Sequence, residues 1–528
     1  MKNKMNKLFN FAAILLLLGV VSCKKENAPI ENEQNFKVSE KTNSEVSFAK
    51  ILAKAIKSDE SLRNFIKTES LKQFDNDYDV LYKAVRDVNI NGETLREKLL
   101  KYISPEELDL IESKLPLLTI FVPTLPNFSP ESWNAVNEIP AIAVSNLDKE
   151  NTVSLYKDDQ NIKLKPTEVP GFPVIVIKEN ERVRLKANLN KLASTSSLSF
   201  NSSGSLEVEF IDEVFDGRIQ QKSSSFKKLG TNKIALVKGT NSRTAPASNV
   251  MNSPNTIDQV NVDAYNSGSE WHRDYVYYGI TPSNPNGKFK NNYSEFITSF
   301  KFLSGNDLGT IADQEGDPKA NNAYRTKAGV ITGWGSEPRA MWTDGRFEIR
   351  ITILINSKNG LGNELTKMIN VSGSDLFDLQ YETIIDNKSW GTILRLKSVV
   401  PKEYHPNIEI LPWDLENYGT AWKFIFYEID PAQEVINAYE NTTTYAANFG
   451  FDAEIGKSKI GPKFGFTATT SEKKSFSVKT TLTSDFLGEA SLTFDQPIII
   501  GYSNGVYNTR EITTGNNISI SVEPRKIF

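Results

Sequence analysis

The stretch "NFGFDAEIGKSKIGPKFGFTA" (448–468) sets the reading of the chain. Phe449, Phe451, Ala453 and Ile455 alternate with polar or small residues, and Ile460, Phe464 and Phe466 do the same. A period of two belongs to a half-buried strand. A two-residue turn at Lys457-Ser458 would set Ile455 against Ile460, Phe451 against Phe464 and Phe449 against Phe466. The other face would set Asp452 against Lys463, so that apolar meets apolar and acid meets base. The expectation is a β-hairpin, with "SFSVKTTL" (475–482) returning as a third strand and "EASLTFDQPIIIGY" (489–502) as a fourth.

Upstream of it, "DYVYYGI", "SEFITSFKFL", "GRFEIRITILIN", "TILRLKSVV" and "WKFIFYEID" are β-branched or aromatic runs bounded by turn residues, which predicts strands from 256 onward. "LTIFVP" (118–123), "PAIAVS" (140–145), "TVSLY" (152–156) and "FPVIVIKENERVRL" (172–185) carry the same signal. Residues 190–255 are rich in Ser, Asn and Thr and read as linkers around a short ordered insert, "LEVEFIDEVFDGRI".

Nearer the N-terminus the period changes. Phe48, Ile51, Leu52, Ala55 and Ile56 fall at i, i+3, i+4, i+7 and i+8, followed by Leu62, Phe65 and Ile66, then Val80, Leu81, Ala84 and Val85. Ser104-Pro105-Glu106-Glu107 supplies a capping-box serine, a proline at the first helical position and a glutamate at the third. The expected class is α+β and multi-domain: a small helical domain (46–116), a small β domain (117–189), the linker region (190–255), a β-sandwich-like domain (256–400) and a C-terminal antiparallel β domain (401–528). Ahead of these lie a segment at 1–22 and a polar, flexible tether at 23–45.

Composition narrows the function classes. Lys and Arg number 61 against 65 acids, a net charge of −4, and no long single-sign run argues for nucleic acid. There is one cysteine, so disulfides within the chain are unavailable. The chain has two histidines, His272 and His405, which removes HExxH zinc sites and multi-histidine clusters. In "SEWHRDYVYY", an extended backbone would put Glu270, His272 and Asp274 on one face, a metal-ligating row or a satisfied strand edge.

"DNDYDVLYKAVR" (75–86) begins like a calcium loop with Asp75, Asp77 and Asp79, but Val80 and Arg86 stand where the loop needs Gly and Glu. Those acids are expected to cap a following helix. Asp307, Asp313, Glu315 and Asp317 gather in a turn-rich segment, as calcium ligands or as a solvated loop. "GWGSEPRAMWTDGR" (333–346) brings Trp334, Glu337, Trp342 and Asp344 close together, which suits a sugar site built of aromatic faces and polar groups, or a strand core. Paired carboxylates for glycoside hydrolysis are open among the 65 acids. The long, amphipathic hairpin at 445–482 also fits a membrane-active β-protein.

Lys2, Lys4 and Lys7 precede a largely apolar run from Leu8 to Val21, the layout of a secretory signal peptide. Gly19-Val20-Val21-Ser22-Cys23 resembles the lipobox of bacterial lipoproteins, with Val20 where the consensus has Leu. Lys24-Lys25-Glu26-Asn27 is similar to the charged export tract of Bacteroidota surface lipoproteins. The resemblance implies cleavage before Cys23, palmitate-type acylation of that residue, and a lipid-anchored place on the outer membrane, at the cell surface or facing the periplasm. The function expected is non-enzymatic binding of a carbohydrate, a matrix component or another envelope protein. A carboxylate-based hydrolase acting on a polysaccharide stands as the alternative.

Overall fold

The structure is a computed structural model. It describes residues 30–146, 148, 150, 152–165, 167–185, 197–199, 207–211, 215–217, 257–268, 271–281, 283–284, 287–311, 341–343, 345–355, 364–414, 417–419, 421–429, 440–451, 470–481, 485–515 and 517–528. The architecture is mixed α and β, with several separate sheets that are antiparallel except for one pair of strands.

The first helix runs from Ile30 to Ser58, so the expected tether at 23–45 is helical from residue 30 onward. The apolar stripe at Phe48, Ile51, Leu52, Ala55 and Ile56 is buried as expected. Once that stripe holds the helix in place, extension through Glu, Gln and Lys costs little, because elongation adds a hydrogen bond for each residue ordered. A second helix, Glu60–Ser70, is capped by the Asp59 carboxylate accepting from the Leu62 N–H at 3.0 Å. The helix Pro105–Lys114 starts on the expected capping box, Ser104 with Glu107, and buries Leu108 and Ile111. Val80 and Leu81 depart from the helical reading. They lie in the strand Asp79–Leu81, and only Tyr82–Val85 forms a helical turn.

That strand decides the domain layout. It pairs with Leu118–Phe121 and so joins a six-stranded sheet, followed in order by Val174–Glu179, Ala141–Val144, Val153–Lys157 and Gln160–Leu164. Ala141–Val144 and Val174–Glu179 are the parallel neighbours. Phe48, Leu52, Leu62 and Leu108 from the helices share one core with Ile120, Ile142, Leu155 and Ile175 from the sheet. The boundary expected at 116/117 therefore runs through a continuous core. The helices cover the sheet because each has a single apolar stripe that must be buried against another layer.

The boundary expected at 400/401 is crossed in the same way. Tyr293–Phe302 pairs with Ile518–Lys526, within a sheet ordered Ile408–Glu409, Tyr293–Phe302, Ile518–Lys526, Glu511–Thr514. Phe347–Leu354 pairs with Ala421–Glu428, within a sheet ordered Glu364–Val371, Phe347–Leu354, Ala421–Glu428, Asp485–Thr493. Phe300, Phe302 and Ile520 from the first sheet share a core with Ile351, Phe424 and Phe426 from the second. Full burial of each such side chain contributes about 1.5–3 kcal/mol. The insert expected in the linker region is present as Glu207–Phe210, and its Val208 and Phe210 pack with Leu354, Ile425 and Tyr427 on the other face of the second sheet.

"DYVYYGI" forms the helix His272–Tyr278 rather than a strand, closed by Gly279 in the left-handed conformation at φ 69°. The packing of Val276, Tyr277 and Tyr278 in the second core overrides their strand propensity. The opening hairpin is also rearranged. Glu440–Phe451 pairs with Thr470–Thr481, placing Phe451 opposite Thr470, Phe449 opposite Glu472 and Tyr445 opposite Phe476. "SFSVKTTL" is thus part of the hairpin's second strand, and Asp485–Thr493 pairs with Ala421–Glu428 instead of continuing a meander. The ladder runs over all twelve residues of each strand, and its register differs from the expected one by six residues. The Asp452–Lys463 pair and the expected turn lie outside the described residues.

A second hairpin, Phe377–Asn387 with Gly391–Pro401, reaches back to the first core. Its Ile393 and Leu394 pair with Pro170 and Val169, and both join the first core together with Trp342 and Trp390.

A candidate binding cleft between two cores

Where the two cores meet, the three acids of "DNDYD" are packed inside. Asp75, Asp77 and Asp79 are each at most 1% exposed. They do not cap a helix; they meet cations instead. Arg182, also buried, donates from Nη1 to the Asp75 backbone oxygen at 3.1 Å and lies 3.2 Å from Asp77 Oδ2. Its Nη1 is 2.8 Å from Glu348 Oε1, and its Nη2 donates to the Arg346 carbonyl at 2.7 Å. Lys178 Nζ is 3.2 Å from Asp79 Oδ2, and Asn180 donates to both Asp75 and Asp79.

Five carboxyl groups here (Asp75, Asp77, Asp79, Glu181 and Glu348) share Lys178, Arg182 and Arg346. Burial penalises the charged form of the surplus acids. It pushes Glu348 up to about 8 and Asp75 up to about 6, against the pull of Arg182 on each. Burial likewise holds Asp79 well above the usual carboxylate range, opposed by Lys178.

Beside this network opens a cleft of about 650 Å³. Its apolar lining includes Tyr78, Phe121, Trp342, Phe377 and Tyr381, and its polar lining includes Asp77, Arg346, Ser372, Ser374, Asp378 and Lys402. Arg346 is held on several sides. Its backbone N–H donates to Asp77 Oδ2 at 2.8 Å, Nε donates to Asn370 Oδ1 at 2.6 Å, and Nη2 donates to the Asn370 carbonyl at 2.9 Å. The guanidinium lies over the Tyr78 ring, 5.8 Å from its centroid, and the Tyr78 hydroxyl donates to Glu131. Burial raises the Tyr78 phenol, keeping it neutral. An aromatic floor with a few fixed polar groups is the general make-up of a small-ligand site.

Trp342 lines this cleft, but it is buried, with Nε1 donating to the Glu168 carbonyl at 3.1 Å. Trp334, Glu337 and Asp344 lie outside the described residues. Of the calcium candidates, Asp307 opens the short helix Asp307–Thr310 and accepts from the Ser304 N–H at 2.9 Å; Asp313, Glu315 and Asp317 lie outside the described residues. Among the described residues no group of three or more His, Cys, Asp or Glu is arranged to hold a metal ion.

The expected Glu270–His272–Asp274 row does not form. Residues 272 and 274 sit on a helix, where a two-residue step turns through about 200°, and Glu270 is outside the described residues. His272 Nδ1 accepts from the Ile498 and Ile499 N–H groups, so that nitrogen carries no proton. His405 Nδ1 is 3.1 Å from the Thr298 carbonyl. Cys23 and the segment at 1–22 also lie outside the described residues, and no described helix is long and apolar enough to cross a membrane.

Arg346 was not singled out in sequence, although it ends the quoted stretch at 333–346. A detectable signal for the acids was there: Asp75, Asp77 and Asp79 alternate, which puts them on one side of an extended backbone. No family model, curated protein or solved structure matches the chain.

Proposed function

We propose that the chain is a lipid-anchored cell-envelope protein that binds carbohydrate in the cleft between its two cores. In this reading the helices and six-stranded sheet form an N-terminal unit, and the two four-stranded sheets form a β-sandwich that carries one wall of the cleft. The lipobox-like segment at Cys23 supports the anchor, and acyl chains contribute about 0.8 kcal/mol per buried CH₂ to membrane binding. The observation that carries the binding role is the set of aromatic side chains around fixed polar groups in a cleft of about 650 Å³. Such surfaces suit a ring with one apolar face and a rim of hydroxyls.

The hydrolase alternative is less well supported. Asp77, the more enclosed carboxylate of the cleft, has Oδ1 occupied by the Tyr78 N–H and Oδ2 by the Arg346 N–H and Arg182. A carboxylate committed to that many donors is a poor proton shuttle. A glycan array and an envelope pull-down with the full chain test the proposal; binding of protein partners alone, with no glycan retained, would overturn the carbohydrate reading.

A second reading is favoured by the ladder Glu440–Phe451/Thr470–Thr481. Twelve residues at roughly 3.4 Å each match the ~30 Å hydrocarbon layer when tilted. The ladder pairs Tyr445 with Phe476 and Thr443 with Val478, and also Ala447 with Lys474 and Phe449 with Glu472. Dye release from anionic and zwitterionic vesicles checks this membrane-active role.

A further inference from the structure

The spare hydrogen-bonding capacity of the cleft is unequal in sign. On the acceptor side, both Asp77 oxygens are taken, and Ser372 and Ser374 hydrogen-bond one another through their hydroxyls, with Ser372 also donating to Asp375. Asp378 remains, exposed, with a 3.5 Å contact from Gln380. On the donor side, Arg346 uses Nε and Nη2 on Asn370 and Asp375, while Nη1 meets no acceptor among the described residues. Lys402, exposed, makes one 3.3 Å bond to the Ser374 carbonyl and keeps donors to spare. Arg346 is also pre-oriented: its other contacts fix the guanidinium plane over Tyr78, so a ligand acceptor would meet it with little ordering cost.

We infer that the cleft takes an acidic polysaccharide, with a sugar carboxylate seated against Arg346 and Lys402. The inference rests on the carbohydrate reading and narrows it to uronate-bearing chains. A carboxylate supplies acceptors to Arg346 Nη1, which meets none among the described residues, and to the donors that Lys402 keeps beyond its bond to Ser374; charge-assisted bonds to it are roughly twice as strong as neutral ones. Exposed Asp378 disfavours an anion at its own position, so the carboxylate sits on the Arg346–Lys402 side and Asp378 accepts from sugar hydroxyls.

The test uses the full chain with an oligogalacturonate and the same oligomer after reduction of its carboxyl groups, titrated by calorimetry. The expected result is at least tenfold tighter binding of the uronate, weakening with added salt. Lys402→Ala, at an exposed position, should erase most of that difference by weakening the uronate far more than the reduced oligomer. Arg346→Lys keeps the charge but loses the planar fork, and should also weaken the uronate selectively. Equal binding of the two oligomers would overturn the acidic-ligand inference and leave the carbohydrate reading standing. Binding of neither by folded protein, together with an empty glycan array, would overturn both.

Discussion

Arg182 Nη1 lies 2.8 Å from Glu348 Oε1, joining residues 166 positions apart where both side chains are almost fully buried. Arg182 comes from the turn after Val174–Glu179, one of the two central strands of the six-stranded sheet, and Glu348 is the second residue of the strand Phe347–Leu354 in the second core. Asn370 also donates to Glu348, at 3.0 Å, and to the Asn76 carbonyl, at 2.8 Å. The junction is thus held by hydrogen-bonded charge as well as by shared apolar side chains.

Arg182→Ala should destabilise the protein by about 3–5 kcal/mol, because removing one partner of a buried ionic group strands the others. Asp77 and Glu348 would keep their burial and lose their nearest cation. Urea unfolding measures the loss. The pair Arg182→Met with Glu348→Leu should recover a large part of it, and a double variant no more stable than the single would contradict this account.

Glu45 gives a pH dependence with a definite sign. It is buried on the first helix, accepts from Asn146 Nδ2 at 2.7 Å, and faces Glu179 and Lys41. Burial is the largest cause holding it up, to about 7. A carboxyl raised in the folded state binds its proton more tightly folded than unfolded, so stability falls as pH rises from about 4.5 to about 7. Glu45→Gln should match the wild type near pH 4.5 and exceed it above pH 7, by on the order of 3 kcal/mol. Melting temperatures across that range check it; a variant less stable at pH 7.5 would sink the prediction.

Gly345 sits against the cleft's buried acid. A Cβ there would overlap Asp77 Oδ2 and come within 2.9 Å of its Cγ. Asp77 has no room to yield, because Arg182 and the Arg346 N–H hold it. Gly345→Ala should cost about 1–3 kcal/mol through overpacking and displace Arg346, lowering affinity for any cleft ligand. Thermal unfolding alongside ligand titration separates the two effects.

Ser104→Ala removes the side-chain half of a capping box on an exposed helix start, at an expected cost of about 1 kcal/mol. The Leu108 and Ile111 contacts remain, so the loss should appear in chemical denaturation without change in the cleft.

Cys23→Ser tests the anchor. Metabolic labelling with a clickable fatty acid should mark the wild type and leave the variant unmarked. Since the chain has a single cysteine, label retained at the wild-type level could not be moved to another thiol and would remove the lipoprotein reading.

Local order was legible wherever one face of a segment dictated its environment. The stripe from Phe48 to Ile56, the Ser104 cap and the strands at 118–121, 141–144, 153–157 and 174–179 all follow from period and turn chemistry within a few residues. Partners were not legible. Nothing local says that Asp79–Leu81 joins a sheet with Leu118–Phe121, or that Tyr293–Phe302 finds Ile518–Lys526 at the far end of the chain. The charge pattern at 75–79 showed three acids but not their cations, since Lys178, Arg182 and Arg346 arrive from distant segments. Alternation alone determined which residues of 440–451 share a face, and the six-residue shift from the expected register leaves that assignment intact because it is even. The register itself, like the cleft, was decided by tertiary structure, because backbone ladders and buried charge are satisfied by whatever the whole chain brings within reach.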